Sequence, residues 1–312
     1  MRFTIYQESR LGGRKNNEDR LAHSYSRDAL LAVLADGMGG HYYGEVAAQI
    51  AVQFLIDAFQ QEARPTVEDP FLFMQRTIYA AHQAILTYSI NHNLADSPRT
   101  TIVACLVQDN IAYWTHAGDS RLYLIRRGKI VSHTRDHSLV QHLMDAGKIT
   151  PEQAEVHPDR NRIYSCLGGP QLPELDFSHK TPLQADDLLI LCSDGIWSAL
   201  PNDDILAQSL QAEELLEAAP RFMDRVESIG GPHGDNISML AVRWGDNYTD
   251  DSDAGSDSDS SISTHDMNET DITTHMEIFT NTNVQREDLS NDEIERAIEE
   301  IRAAIDKYSF RK

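Results

Sequence analysis

The chain has 312 residues, enough for one large domain or two ordinary ones. Its 49 Asp and Glu outnumber 27 Lys and Arg, giving a formal charge of −22; such a surface, with no basic stripe, repels nucleic acid and anionic membranes. No apolar run approaches the roughly eighteen residues of a membrane span, and the first residues lack a signal-peptide core, so a cytoplasmic setting is expected.

Three cysteines, Cys105, Cys166 and Cys192, are odd in number and lie in apolar surroundings, as reduced core residues do. The charge is uneven along the chain. Residues 246–312 hold 18 acids and 6 bases, leaving 31 acids and 21 bases in the body. An anionic substrate would therefore need local cations, supplied by side chains or metals.

Residues 3–8 alternate as a strand and lead into a polar, glycine-containing loop, 10–19, in which Arg14, Glu18 and Asp19 stand out. Residues 23–26 and 29–35 read as paired strands around a short turn, a pairing that brings Asp19 towards Asp36. The second is an unbroken apolar run that stops at Asp36-Gly37, where glycine frees the backbone for a tight turn and close approach to a ligand. Helical spacing of apolar residues follows over 44–60, and a second helix starts at Asp69-Pro70, a capping acid before a proline at the first helical position.

Residues 101–107, 111–116 and 121–126 are β-rich and read as a three-strand antiparallel meander. Residues 138–166 have little strand character and are punctuated by Gly147, Pro151 and Pro158, as in a mobile lid. Strand patterns resume at 176–179 and 187–192, the latter ending in Ser193-Asp194-Gly195. A helical stretch, 203–225, then precedes a turn-rich loop, 230–236, and a last strand, 237–243. The order lacks a regular βαβ repeat, which favours an α+β fold of two antiparallel sheets covered by helices.

Residues 246–285 contain ten acids, no Lys or Arg, and many Ser and Thr. The expected domains are thus a body, 1–245, a disordered acidic linker, 246–288, and an amphipathic helix, 289–312. Ser290 and Glu293 form a capping box there, and Ile294, Ile298, Ile301, Ile305 and Tyr308 make an apolar seam. Docking on the body, self-association and capture of a partner such as a cognate kinase all remain open for that seam.

Asp19, Asp36, Asp194 and Asp235 fall at comparable places, next to strand ends. A carboxylate cluster suits hard cations such as Mg²⁺ or Mn²⁺ rather than zinc. Two such ions about 3.5 to 4 Å apart can share a water and make it a nucleophile, for which phosphorus is a natural electrophile. A single Asp-Gly is an ordinary turn dipeptide; four matching sites point to shared chemistry. No Cys-x₅-Arg thiol site, P-loop or dinucleotide loop is present.

The motifs Arg14-x-x-Asn17-Glu18-Asp19, Asp36-Gly37-Met38-Gly39-Gly40-His41, Gly118-Asp119-Ser120-Arg121, Arg135-Asp136-His137-Ser138, Ser193-Asp194-Gly195 and Gly234-Asp235-Asn236 occur in one order. Together they resemble the PP2C family of metal-dependent protein serine/threonine phosphatases, in its compact bacterial form, over about residues 1–244. The resemblance implies a central sandwich of two antiparallel sheets flanked by helix pairs, with a flap at about 138–166. It implies two Mn²⁺ or Mg²⁺ ions, a third in bacterial members, and phosphorylated proteins as substrates, hydrolysed by direct attack of a hydroxide bridging the metals.

By the same resemblance, Asp36 would bridge the metals and the Gly37 carbonyl would bind one. Asp19, Asp194 and Asp235 would complete the pair, Glu18 would hold metal-bound water, and Asp119 with Asp194 would take the third ion. Arg14 would clamp phosphate, and Asn236 would orient Asp235 or its waters. Animal members carry a general-acid histidine immediately after Asp-Gly, where Met38 stands here. Protonating the leaving oxygen, steering substrate and holding the turn all stay open for His41. The competing reading is a catalytically weak phosphoprotein-binding scaffold that recruits partners through its C-terminal helix.

Overall fold

The computed structural model describes residues 1–38, 43–200, 202–211, 213–245 and 261–277. The chain opens with strands β1 (Arg2–Arg10), β2 (Asp19–Tyr25) and β3 (Ala29–Met38), then helices α1 (Gly44–Glu62) and α2 (Pro70–Asn91). Five strands follow, β4 (Arg99–Thr100), β5 (Ile102–Gln108), β6 (Ile111–Ala117), β7 (Arg121–Arg126) and β8 (Lys129–His133). The flap holds two short helices, α3 (Leu139–Asp145) and α4 (Pro151–Glu155), and leads to β9 (Asp176–Phe177), β10 (Thr181–Pro182) and β11 (Leu188–Cys192). Helices α5 (Asp194–Trp197), α6 (Asp204–Gln211) and α7 (Leu215–Gly230) precede β12 (Ile237–Trp244), β13 (Ile262–Ser263) and β14 (Thr273–Met276).

One sheet runs β13-β1-β12-β11-β7-β8 and the other β10-β6-β5-β3-β2-β14, with β4 and β9 paired to β3 and β6. Every pairing is antiparallel. The sheets stack face to face, and helices cover both outer faces, as expected.

The apolar run of β3 is continuous because both of its faces are buried. Ala29, Leu31, Val33 and Ala35 point to α1 and α2, whereas Leu30, Ala32 and Leu34 point to the opposite sheet. Strand β11 divides in the same way: Leu189 and Leu191 enter the sandwich, and Leu188, Ile190 and Cys192 face α5–α7. The cap expected on α2 is present, with Asp69 accepting from the amides of Phe71 and Leu72. Antiparallel pairing places the start of β2, the end of β3, the end of β11 and the start of β12 at one end of the sandwich.

Two expectations are corrected. The segment 121–126 does not complete a meander: β6 and β7 lie in different sheets, and the Gly118 turn (φ 110°) carries the chain across the sandwich. A turn dipeptide cannot report which sheet the next strand joins. The acidic stretch expected as linker over 246–288 is ordered over 261–277. There β13 adds to β1 and β14 to β2, so one strap closes an edge of each sheet. Exposed edges offer unpaired backbone groups, so a strand can dock with little apolar content; Ile262 and Met267 on the sandwich core and Met276 on the helix side suffice. Residues 246–260, 278–288 and the expected helix at 289–312 lie outside the described residues. No described helix is long and apolar enough to cross a membrane, and all three cysteines are free.

Candidate metal centre

Asp19 pairs directly with Asp36 in the β2–β3 ladder. The turn before Asp19 is built from its own side chains. The Asp19 amide donates to Asn17 Oδ1 (2.9 Å), Asn17 Nδ2 donates to Ser9 Oγ (2.8 Å), and the buried Arg20 guanidinium donates to the carbonyls of Asn17 (2.9 Å) and Asp19 (2.7 Å). Asp36 is fixed through its backbone: its amide donates to Thr101 Oγ1, its carbonyl accepts from the Thr101 amide and Thr100 Oγ1, and Thr101 Oγ1 meets Ser120 Oγ at 2.7 Å. Gly37 is required by close approach, since a Cβ there would strike the Gly44 backbone, and one on Gly44 would strike the Glu18 carboxylate.

Asp194 opens α5 directly after β11, and Asp235 precedes β12. A cavity of about 540 Å³ is lined by Arg14, Glu18, Asp36, Asp119, Asp194 and Asp235, and Gly37 and Asn236 also reach it. Asp19 is buried, and its Oδ2 has no hydrogen-bond partner. Five aspartates from separate segments therefore meet at one end of the sandwich. Arg14, at the rim, donates to Asp235 at 2.5 Å.

The electrostatics follow from this crowding. Burial, then the charges of Asp19, Asp194, Asp119 and Asp235, drives the Asp36 carboxyl well above the ordinary range. Asp194 is raised likewise by burial and by Asp119, Asp235 and Asp19. Burial raises Asp19 to about 6, Asp119 to about 7 with help from Asp136, and Glu18 to about 7 with help from Glu45. Asn236 supports the group through both its backbone and its side chain. Its backbone amide donates to Asp235, while its side chain accepts from the Glu18 amide and donates to the carbonyls of Leu11 and Asn16, tying the Arg14 loop to the Asp235 turn. His41 lies outside the described residues, as do Gly39 and Gly40.

A larger cavity of about 1160 Å³ adjoins the first and runs between the flap and α5, with Met144, Val156 and Arg160 on the flap side and Trp197 and Asp203 opposite. His116, His137 and Asp176 form a second group of possible ligands nearby. These side chains have partners within the fold. The two ring centroids lie 4.6 Å apart, and His137 Nε2 is 3.3 Å from Asp176 Oδ2. His116 Nε2 instead reaches the Arg135 carbonyl at 2.7 Å, and Tyr164 of the flap stacks on His137. These rings anchor the root of the flap.

Arg20, Thr101 and Trp197, which brace the acids from behind, carry no sequence signal of their own; their neighbours fall in motifs, but a bracing contact is set only by the fold.

Residues 7–230 match the family model for protein phosphatase 2C, and the chain belongs to that family. It is 34% identical over 231 residues to a serine/threonine phosphatase, stp, of Listeria monocytogenes, covering 73% of this chain and 90% of the relative. It is 36% identical over 230 residues to the serine/threonine protein phosphatase PstP of Mycobacterium tuberculosis, spanning 42% of that longer protein. The crystal structure of the latter superposes with a TM-score of 0.67 at 33% identity, covering 79% of this chain and all of that one. The PstP catalytic domain in complex with two manganese ions matches with a TM-score of 0.66 at 32% identity, covering 78% of this chain and 99% of that one.

The residues of this chain fit such ions. The donors are oxygens, which hard divalent cations prefer, the carboxylates crowd one another, and the unpartnered Asp19 Oδ2 has a lone pair to give.

Proposed function

We infer that this chain is a metal-dependent serine/threonine phosphoprotein phosphatase that cleaves phosphoserine and phosphothreonine without a covalent intermediate. The observation that carries the reading is the convergence of Asp19, Asp36, Asp119, Asp194 and Asp235 beside Arg14.

In this reading Asp19, Asp36, the Gly37 carbonyl, Asp194 and Asp235 hold two divalent cations, Mn²⁺ or Mg²⁺, with Glu18 at their water shell and Asp119 with Asp194 at a third. The ions would supply an activated water and screen the phosphate charge. Arg14 is half-exposed at the cavity rim, and its planar fork suits two phosphate oxygens. Water adds to phosphorus as the ester P–O bond breaks; the water gives up one proton and the departing serine or threonine oxygen takes up one, leaving the free hydroxyl and inorganic phosphate. The backbone hydrogen bonds of Asp36 and Asp19 fix where these carboxylates stand before substrate arrives.

The catalytic unit is taken as residues 1–245, and substrates are phosphorylated proteins that approach past the flap. Three free cysteines support a cytoplasmic setting. Hydrolysis of a phosphothreonine peptide by the full chain, with Mn²⁺ and with EDTA, tests the assignment. Turnover that requires Mn²⁺ and is lost in Asp36→Asn supports it; phosphopeptide binding with no turnover in any divalent metal overturns it.

A further inference from the structure

Asp119 sits on the turn that carries the chain from one sheet to the other, and its neighbours are pinned on two sides. Gly118 accepts from the His137 amide (2.9 Å), and Ser120 Oγ meets Thr101 Oγ1, the group that also accepts from the Asp36 amide. Asp119 is thereby registered against Asp36. Its registration against Asp194 comes from elsewhere.

The one-turn helix α5 begins at Asp194 and ends at Trp197, and the Trp197 indole Nε1 donates to the Asp119 carbonyl at 2.9 Å. The ring is held in turn. The Arg121 guanidinium lies over it with its central carbon 3.9 Å from the ring centroid, and Arg121 is gripped by Asp136 through two 2.8 Å bonds. Trp197 is only half-buried and faces the larger cavity. Burial of apolar surface alone would be served by Phe or Leu; the N–H donor and the cation on the ring face call for an indole.

We propose that Trp197 is a positioning residue that sets the separation of Asp119 from Asp194, with Arg121 as its platform. This inference rests on the reading of Asp119 and Asp194 as joint ligands of a third divalent ion. One hydrogen bond of ordinary strength is at stake, equivalent to about three- to tenfold in affinity for that ion.

The test uses the full chain as wild type, Trp197→Phe and Asp119→Asn, each titrated with Mn²⁺ by calorimetry and by the free-ion EPR signal, and assayed against Mn²⁺ concentration. Trp197→Phe keeps the ring and is expected to keep the fold, checked by its melting curve. It should weaken the loosest Mn²⁺ site by about three- to tenfold and leave the tighter ions unchanged. The Mn²⁺ concentration for half-maximal turnover should rise by the same factor while kcat at saturating Mn²⁺ stays within about twofold of wild type. If Asp119→Asn loses the loosest site but Trp197→Phe titrates like wild type, the indole is mere packing and the proposal is overturned. If Asp119→Asn itself binds Mn²⁺ as wild type does, the third-ion reading fails and this inference falls with it.

Discussion

Asp19 and Asp36 face each other across the β2–β3 ladder, an arrangement in which like charges oppose folding. Burial and neighbouring carboxylates push both groups up, so near neutral pH the metal-free fold bears either their repulsion or the cost of the proton uptake that relieves it. Asp36→Asn is therefore expected to do two opposite things. It should raise the melting temperature of the EDTA-treated protein by about 2–4 °C for each kcal/mol of repulsion relieved. It should lower Mn²⁺-dependent turnover by about a hundredfold or more, the scale of losing one preorganised electrostatic contact. Melting curves and phosphopeptide assays on one preparation check both; a variant that melts lower without metal would contradict the repulsion.

The same crowding sets a pH dependence. Glu18 and Asp119 sit at about 7 and Asp19 at about 6, above their unfolded values. The metal-free fold therefore binds more protons than the unfolded chain at pH 5 to 7, and its stability falls as pH rises through that window. His23, lowered to about 3, and His116, lowered to about 4, both by burial first, act in the opposite sense below pH 6.5. Comparing melting with Mn²⁺ and with EDTA at each pH cancels the histidines. The Mn²⁺-induced rise in melting temperature should grow from pH 5.5 to pH 8, because protons and cations compete for the same oxygens. A rise that is flat or shrinks with pH would show that these carboxylates are not the ion's ligands.

The site was legible where chemistry coincides with strand ends. Asp36 and Asp194 each close an apolar run, and antiparallel pairing of neighbours was enough to bring Asp19 to Asp36. The two-sheet architecture followed from an element order that lacks a regular βαβ repeat. The passage of β7 into the other sheet was not legible, since the Gly118 turn looks locally like any hairpin turn. Nor was the strap at 261–277, whose order is lent by the backbone of β1 and β2 rather than by its own composition. Arg20 and Trp197 carry no motif because their roles are hydrogen bonds to carbonyls, which any sequence offers.

The strap also yields a prediction. In β14, Thr274 pairs with Ser24, and its hydroxyl meets Ser24 Oγ and accepts from Gln60 Nε2, each at 2.7 Å. Next to it His275 stacks on His23, and the Glu277 amide reaches the Leu21 carbonyl. Because the Glu277 amide bonds to the Leu21 carbonyl, ladder alternation turns the His275 amide, not that of Thr274, towards β2. His275→Pro removes that amide together with the ring on His23 and should cost about 1–3 kcal/mol, with the body still folded because the three apolar cores lie almost wholly outside the strap. Hydrogen exchange should show the β2 amides opening about tenfold or more faster, with β5 and β12 unchanged. Unaltered exchange in β2 would mean that the strap contributes nothing to that edge.

Arg14 supplies the sharpest separation of substrate binding from the ion site. It stands at the cavity rim beside Lys15, over half exposed, and its present partner is Asp235 at 2.5 Å. A phosphate arriving at the cavity would compete with Asp235 for a guanidinium already held in place, so the side chain loses little freedom on binding. Arg14→Ala should raise KM for a phosphothreonine peptide by about ten- to a hundredfold, the worth of a charge-assisted hydrogen bond. Arg14→Lys keeps the charge but loses the fork and should recover only part of that loss. Because Asp235 is left without its cation, Arg14→Ala should also hold Mn²⁺ no more weakly than wild type, since the carboxylate is freed for the ion. Steady-state kinetics against peptide at saturating Mn²⁺, paired with a Mn²⁺ titration, separates the two effects. An Arg14→Ala protein with unchanged KM and weakened Mn²⁺ binding would make the arginine a brace for Asp235 instead of a phosphate clamp.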